Sequence, residues 1–413
     1  MTSRTFVTIG AGQAAAVAAR TLRRRGFDGR IVLIGDEPHA PYQRPPLSKE
    51  FLAGSEGLDS LTLLPQKWLD NNDIEIVTGT TVTRVDPASR SVELDGAAPI
   101  LADAVLFATG GRPRTVPVPG PRPDLVHYLR TLDDARRLQH ALAPGKRLVV
   151  VGAGFIGLEL AATATAMGVE VTVVEAAPIP LGGILGEPMG QVCMRLHRSN
   201  GVDLRTGTPV DSIRTTADGV LVELGDNTTL AADLVVIGIG IEPNVTAAAA
   251  SGLRVDNGIV VDAQGRTDLP NIFAAGDVAR RWSDRAGRHV RLEHFDNANK
   301  QGVAAANAML GRDAVNDDAP WFWSDQYTQN LQLIGNRSAT GEVAIRGSVD
   351  DLDFTAFYLD GDTVCGAFTI DRGEDVMAVR ELLGRRIDPA VLTDEDTDLW
   401  DLLDAEEPAE VVA

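Results

Sequence analysis

Residues 5–36 read TFVTIGAGQAAAVAARTLRRRGFDGRIVLIGD, and this stretch decides the fold. An apolar run, Phe6–Ile9, meets Gly10 and Gly12, then an alanine-rich segment with Ala14, Ala18, Ala19 and Leu22 at helical spacing. The pattern predicts strand, tight turn and helix, with a second strand over Ile31–Ile34 that ends at Asp36. Glycine at positions 10 and 12 lets the backbone turn sharply and approach a pyrophosphate, while Ala15 takes the third small position, where helix must pack on sheet. The unpaired N–H groups and positive dipole end of the helix would face the phosphates, with Gln13 and Ala14 in its first turn. Asp36 is then placed to accept from a ribose hydroxyl pair.

The motif recurs at residues 147–178, RLVVVGAGFIGLELAATATAMGVEVTVVEAAP. Gly152, Gly154 and Gly157 follow a strand over Leu148–Val151, and a helix runs to Gly168, which has the character of a C-cap. Strand Val171–Val174 stops at Glu175. A carboxylate there accepts from a free ribose 2′-hydroxyl and repels a 2′-phosphate, which predicts NADH in preference to NADPH. Two copies at this separation are an internal duplication of a nucleotide-binding unit. Three further strand-to-turn endings, ATGGRP at 108–113, GIGIEPN at 238–244 and AAGD at 274–277, are expected to line the same cleft, because open parallel sheets bind ligands off their carboxyl ends.

Between the copies, HAPYQRPPLSKEFL at 39–52 is expected to be irregular and extended at its prolines, projecting Arg44 and Lys49 toward a ligand. Short strands are expected at Ile74–Val77, Val82–Val85 and Ser91–Leu94, a buried strand from Ala104, a proline-rich linker over Arg114–Pro123 and a helix over Leu132–Leu142. A helix from Asp296 to Met309 is expected to be capped by Asp296 and ended by Gly311, with His294 the one histidine among ligand-lining candidates. From Trp321 the composition turns aromatic and β-prone (WFWSDQY, FTAFYL, CGAFTI) before a short helix around Val376–Leu383.

A chain of 413 residues exceeds one core, so two or three domains are expected. No run approaches the ~20 apolar residues of a membrane span, and the first residues lack signal-peptide order. Cys193 and Cys365 stand far apart with no Cys-x-x-Cys spacing, which points to a reducing cytoplasm and away from a disulfide, a metal cluster or a redox dithiol. A net charge of −20 disfavours nucleic acid, and part of it lies in an acid-rich segment from Asp394 onward that reads as a solvated or poorly ordered end.

Two glycine loops with those three endings in this order resemble the two-dinucleotide flavoprotein reductases of the pyridine nucleotide-disulfide oxidoreductase superfamily. PYQRPPLSK, FIGLELA, VRLEHFDNA and PWFWSDQY narrow the resemblance to the NADH–ferredoxin reductases that serve oxygenases. The resemblance covers essentially the whole chain. It implies an α/β fold with an FAD-binding domain (1–112 and 245–318), an NAD(H)-binding domain (113–244) and a C-terminal α+β domain (319–413). It also implies electron transfer from NADH through FAD to a two-iron, two-sulfur (2Fe–2S) ferredoxin, by a monomer or homodimer. Carried over by motif, FAD contacts fall on Gly10, Gly12, Gln13, Ala14, Asp36, Arg44, Lys49, Val82, Arg130, Asp277, Phe295 and Trp323. NADH contacts fall on Gly152, Gly154, Phe155, Ile156, Gly157, Glu159, Glu175 and Gly240, with Glu293 a further candidate. Lys49 and Glu159 resemble a pair that meets the reactive flavin nitrogen from opposite domains, the cation stabilising charge that arrives with the hydride.

The chain departs from the family's pattern at Ile179 and Gly183, where arginines usually follow the second acid. Arg280, Arg281, Arg285, Arg288 and Arg291 form either a local positive docking face or solvated loop charge. The same two sites would also suit an NADH oxidase, a quinone or monodehydroascorbate reductase, a biosynthetic reductase, or an apoptosis-inducing-factor-like redox interaction protein.

Overall fold

The structure, a computed structural model, describes residues 4–315, 317–338 and 340–404. The chain forms two compact units, one from segments 1–45, 57–112 and 241–318, the other from 46–56, 113–240 and 319–413.

The first unit is built on a five-stranded sheet in the order Ile272–Ala274, Ala104–Phe107, Thr5–Ile9, Arg30–Ile34, Ile74–Val77, with every pairing parallel. Successive strand residues go to opposite faces. Phe6, Ile31, Leu33 and Leu106 enter one core layer, and Val7, Ile9, Val32, Ile34, Val105 and Phe107 the other. The first layer is closed by helices Gln13–Arg24 and Phe295–Met309. They cross closely because a Cβ at Gly302 would lie 2.7 Å from the Ala14 carbonyl oxygen. The Phe295 helix starts one residue earlier than expected, with His294 at its cap position. Asp296 makes no cap: it lies inside the first turn and pairs instead with Lys300, 2.8 Å away.

The second unit repeats the theme. Its parallel sheet runs Asp203–Arg205, Glu170–Val174, Arg147–Val151, Leu234–Ile237, Val126–His127. Helices Leu132–Ala141, Phe155–Ala166 and Glu187–Ser199 contribute to its core. The C-terminal segment forms an antiparallel sheet, Trp321–Gln326, Gln329–Gly335, Thr363–Ile370, Asp353–Asp360, Glu342–Ser348, with helix Gly373–Leu382. This sheet shares one buried cluster with the second glycine-loop module: Phe354, Tyr358 and Phe368 pack with Leu185, Val192 and Leu196, and the Tyr358 hydroxyl donates to the Leu185 carbonyl at 2.7 Å.

Two further expectations change. The proline-rich stretch is not extended throughout: Pro45–Ser48 forms a 3₁₀ turn that leads into a short helix, Glu50–Ala53, in the second unit. A fixed proline φ near −65° suits a helical first turn as well as an extended chain, and the turn seats Leu47, Phe51 and Leu52 in the interior. The acidic segment is ordered as far as it is described. Leu399 is buried, and the buried Arg346 guanidinium donates to the carbonyls of Asp394 (2.6 Å) and Thr397 (2.8 Å). Residues 405–413 of that reading lie outside the described residues. Among the described residues no helix is long and apolar enough to cross a membrane.

Candidate active site

In the first unit the chain leaves strand Thr5–Ile9 through Gly10, whose φ of +103° is costly for any side chain. A Cβ there would sit 2.2 Å from the Ala108 carbonyl oxygen, so the position tolerates glycine alone. Gly12 differs. It precedes the helix in extended backbone, and a Cβ would meet nothing within 4 Å, which leaves open space before the helix N–H groups. Gln13 and Ala14 open that helix; Ala14 is buried, whereas Gln13 is only part-buried. Ala15 is fully buried, as a small third position requires.

Asp36 lies exposed two residues beyond the strand. Its neighbour Glu37, which sequence reasoning passed over, carries the local electrostatics. It accepts from the Arg44 guanidinium and from the Tyr42 hydroxyl, each at 2.5 Å. Burial works to lower the Arg44 pKa, but Tyr42, Glu37 and Asp277 outweigh it and raise the value, so the cation is permanent. Arg44 and Asp277 are thus brought together, Asp277 from the turn Gly276–Val278. Phe295 begins its helix, and the Val82 side chain is buried in the core of the same unit. Of the five arginines near the Asp277 turn, three are neutralised: Arg281 is buried against Asp317 (2.9 Å), Arg280 pairs with Asp256 and Arg291 with Glu293 (2.6 Å). Arg285 and Arg288 are exposed. The cluster is not a continuous positive face, because Asp256 and Asp317, distant in sequence, and Glu293, two residues on, pair with it.

In the second unit Gly152 repeats Gly10 at the same φ, +103°. Its N–H donates to Val174 O at 2.8 Å, as Gly10 donates to Ile34 O at 2.7 Å. A Cβ at Gly152 would meet Gly238 O at 2.5 Å, and one at Gly157 would meet Gly152 O at 2.2 Å; Gly154 again faces open space. Glu175 uses both oxygens on its own chain, accepting from Ala153 N (2.7 Å) and Ala177 N (2.8 Å), so it braces the loop as well as standing at the strand end. Phe155 packs edge-on against Phe322 at 4.4 Å, and Ile156 is exposed. Gly240 is exposed, with φ +96°. Ile179 packs toward Gly190, where a Cβ would lie 2.4 Å from its Cγ2, so the residue in place of an arginine anchors the loop. Arg130 stands just before helix Leu132–Ala141 with its N–H on Asp134, and Trp323 stacks on Trp321 with ring centres 5.4 Å apart.

Lys49 and Glu159 meet in this unit: Nζ lies 3.2 Å from Oε2, with both side chains buried. Both belong to the second unit, Lys49 arriving on the 46–56 segment, so the pair does not straddle the two units. Two serines that sequence reasoning missed complete it. Ser48 donates to Oε2 of Glu159, and Ser324 donates to Oε1 at 2.7 Å. Burial pushes the Glu159 carboxyl above its usual range; Lys49, Ser48 and Ser324 pull it back.

Both glycine loops therefore present what a dinucleotide needs: a turn only glycine can make, open space at the second glycine, and helix N–H groups behind it. Comparison with known proteins agrees. Residues 4–302 match the pyridine nucleotide-disulphide oxidoreductase family and residues 321–403 the reductase C-terminal family. Rhodocoxin reductase of Rhodococcus erythropolis is 42% identical over 95% of this chain and 93% of its own length. The ferredoxin–NAD(+) reductase component of the anthranilate 1,2-dioxygenase system of Burkholderia cepacia is 40% identical over 95% and 98%. Among solved structures, the covalent putidaredoxin reductase–putidaredoxin complex superposes with a TM-score of 0.93 at 37% identity, covering 98% of this chain and all of that one. With its glycine loops, parallel sheets and C-terminal sheet each accounted for, the chain belongs to the pyridine nucleotide-disulphide oxidoreductase family, in the branch that carries a reductase C-terminal domain.

Proposed function

We propose that this chain is an FAD-dependent NADH:ferredoxin oxidoreductase that supplies electrons, through a 2Fe–2S ferredoxin, to an oxygenase. The observation that carries the reading is the buried Lys49–Glu159 pair, in a chain whose two glycine loops are duplicated to the same φ. Relatives that match over nearly their full length are named as ferredoxin–NAD(+) reductase components of dioxygenase systems, which supports the choice of partner. Bound FAD supplies the conversion from a two-electron donor to one-electron carriers.

The protein's share is placement and charge. The cradle of Gly10, Gly12, Gln13 and Ala14 would hold the flavin nucleotide, with Asp36, Arg44, Val82, Asp277 and Phe295 completing its contacts in the first unit; Arg130 and Trp323, of the second unit, are FAD candidates by the family resemblance alone. The cradle of Gly152, Gly154, Phe155, Ile156 and Gly157, with Glu175 and Gly240, would hold NADH. Lys49 provides the cation that stabilises negative charge arriving with the hydride, and Glu159 fixes where that cation stands. The corresponding FAD, NADH and C-terminal parts are residues 1–112 with 245–318, 113–244 and 319–413, except that 46–56 groups with the second unit and 241–244 with the first. Two free cysteines, Cys193 buried and Cys365 half-buried, suit a reducing cytoplasm.

The test is anaerobic stopped-flow reduction of the bound flavin by NADH, followed by cytochrome c reduction with and without added 2Fe–2S ferredoxin. We expect strong ferredoxin dependence. Lys49→Ala should slow flavin reduction by roughly 100-fold, on the scale of a lost electrostatic contact in a water-poor site. An unchanged rate would remove Lys49 from the mechanism, and slow ferredoxin-independent turnover would favour an oxidase or a redox-sensing protein. Glu175→Ala should narrow the preference for NADH over NADPH by about tenfold; equal discrimination before and after would contradict its role.

A further inference from the structure

Behind Glu159 lies a line of buried polar side chains in an otherwise apolar core. Ser324, Gln326 and His197 are each wholly buried. Ser324 and Gln326 alternate on strand Trp321–Gln326, so both point inward, and His197 sits near the end of helix Glu187–Ser199. Tyr327 follows in the turn with φ +58°, a left-handed conformation that a tyrosine adopts only under constraint. The spacings are continuous: Tyr327 Oη to His197 Nδ1, 3.0 Å; His197 Nε2 to Gln326 Oε1, 2.9 Å; Gln326 Nε2 to Ser324 Oγ, 3.0 Å; Ser324 Oγ to Glu159 Oε1, 2.7 Å.

Chemistry alone sets the direction of every link. An ionised carboxylate only accepts, so Ser324 must donate its one hydroxyl proton to Glu159. Its oxygen then accepts, which requires the amide nitrogen of Gln326 to face it and places Oε1 toward His197. His197 must therefore carry its proton on Nε2, and neutral Nδ1 accepts from Tyr327. Four links run one way and end on the carboxylate.

We propose that Tyr327, His197, Gln326 and Ser324 are positioning residues, a one-directional hydrogen-bond relay that holds Glu159 charged and aimed at Lys49. The inference rests on the roles proposed above for Lys49 and Glu159. Burial favours the neutral acid, and a donor that is itself polarised by a donor behind it opposes that more strongly than an isolated hydroxyl. Lys49 is the charged group acting on Glu159, with Ser48 its other hydroxyl partner. Among the described residues no charged group acts on His197; burial holds its pKa down to about 4, so the imidazole stays neutral and the direction is preserved. The line is not a proton path, since the amide of Gln326 passes no proton without first becoming an imidic acid.

The test is the pH profile of flavin reduction by NADH in the holoenzyme. His197→Phe keeps a ring and removes the donor to Gln326; His197→Gln restores an N–H donor. For His197→Phe we expect the acid limb to move up by about half a pH unit, roughly a threefold loss of rate there, with return toward the wild-type limb in His197→Gln. Tyr327→Phe removes one outer hydroxyl and should give a smaller shift of the same sign; it decides the matter if His197→Phe does not fold. A wild-type acid limb in these variants, whatever their melting temperatures, would overturn the relay. Wild-type flavin that NADH fails to reduce would instead overturn the functional reading, so the two failures are distinct.

Discussion

Burial acts in opposite senses on Glu159, which ends the hydrogen-bonded line, and on His197 within it. It raises Glu159, an acid, and lowers His197, a base, because in each case the charged form is the one disfavoured. For His197 the consequence for stability has a definite sign. The unfolded imidazole binds a proton below about pH 6.5, whereas the folded one does so only below about 4. Between those values the unfolded state holds more protons, so stability falls as pH falls, by about 3 kcal/mol across the window. The raised Glu159 works against this, since its folded form takes up protons first. Urea unfolding of wild type and His197→Gln at pH 7.5 and 5 isolates the histidine: the wild type should lose more of its stability on acidification. Parallel losses in the two proteins would mean that His197 is not held neutral.

At the level of the element, the two glycines of one loop do different work. Gly10 shapes the turn, and its left-handed φ and its approach to Ala108 O leave no room for a methyl group. Gly12 has allowed backbone and open space, so its lack of a side chain serves only what approaches from outside. Gly10→Ala should therefore destabilise the fold by about 3 kcal/mol or more. Gly12→Ala should leave apoprotein stability within about 0.5 kcal/mol of wild type yet weaken FAD retention by roughly tenfold or more. Chemical denaturation of apoprotein and flavin release on dilution separate the two effects. Equal loss of stability in both variants would contradict this division of labour.

For the molecule as a whole, charge is the governing quantity in its encounter with a carrier. The net charge is −20, and Arg280, Arg281 and Arg291 are spent on internal acids. Of this cluster only Arg285 and Arg288 are left to attract an acidic ferredoxin, against a net charge of −20, and added salt should screen repulsion at least as much as attraction. We expect KM for such a carrier to change by less than about threefold between 20 and 200 mM salt. A tenfold rise would reveal a positive docking surface elsewhere on the chain.

What the sequence determined by itself was everything with a period or an obligatory residue type: both glycine loops, the parallel strands beside them, and the helices with alanine-rich faces. Those features are local, because turn geometry and the burial of alternate side chains follow from neighbours along the chain. Lys49 and Glu159 were legible only as motif members. Tertiary structure decided that Lys49 stands 3.2 Å from Glu159, that Ser48 and Ser324 bind the same carboxylate, and that His197 and Gln326 continue the line. It also decided that Glu37 holds Arg44 and that Arg281 is buried. Serine, glutamine and histidine have no period and no obligatory spacing. A hydrogen bond between residues 165 apart in sequence exists only once the core has packed, since removal from water is what makes the missing partner costly.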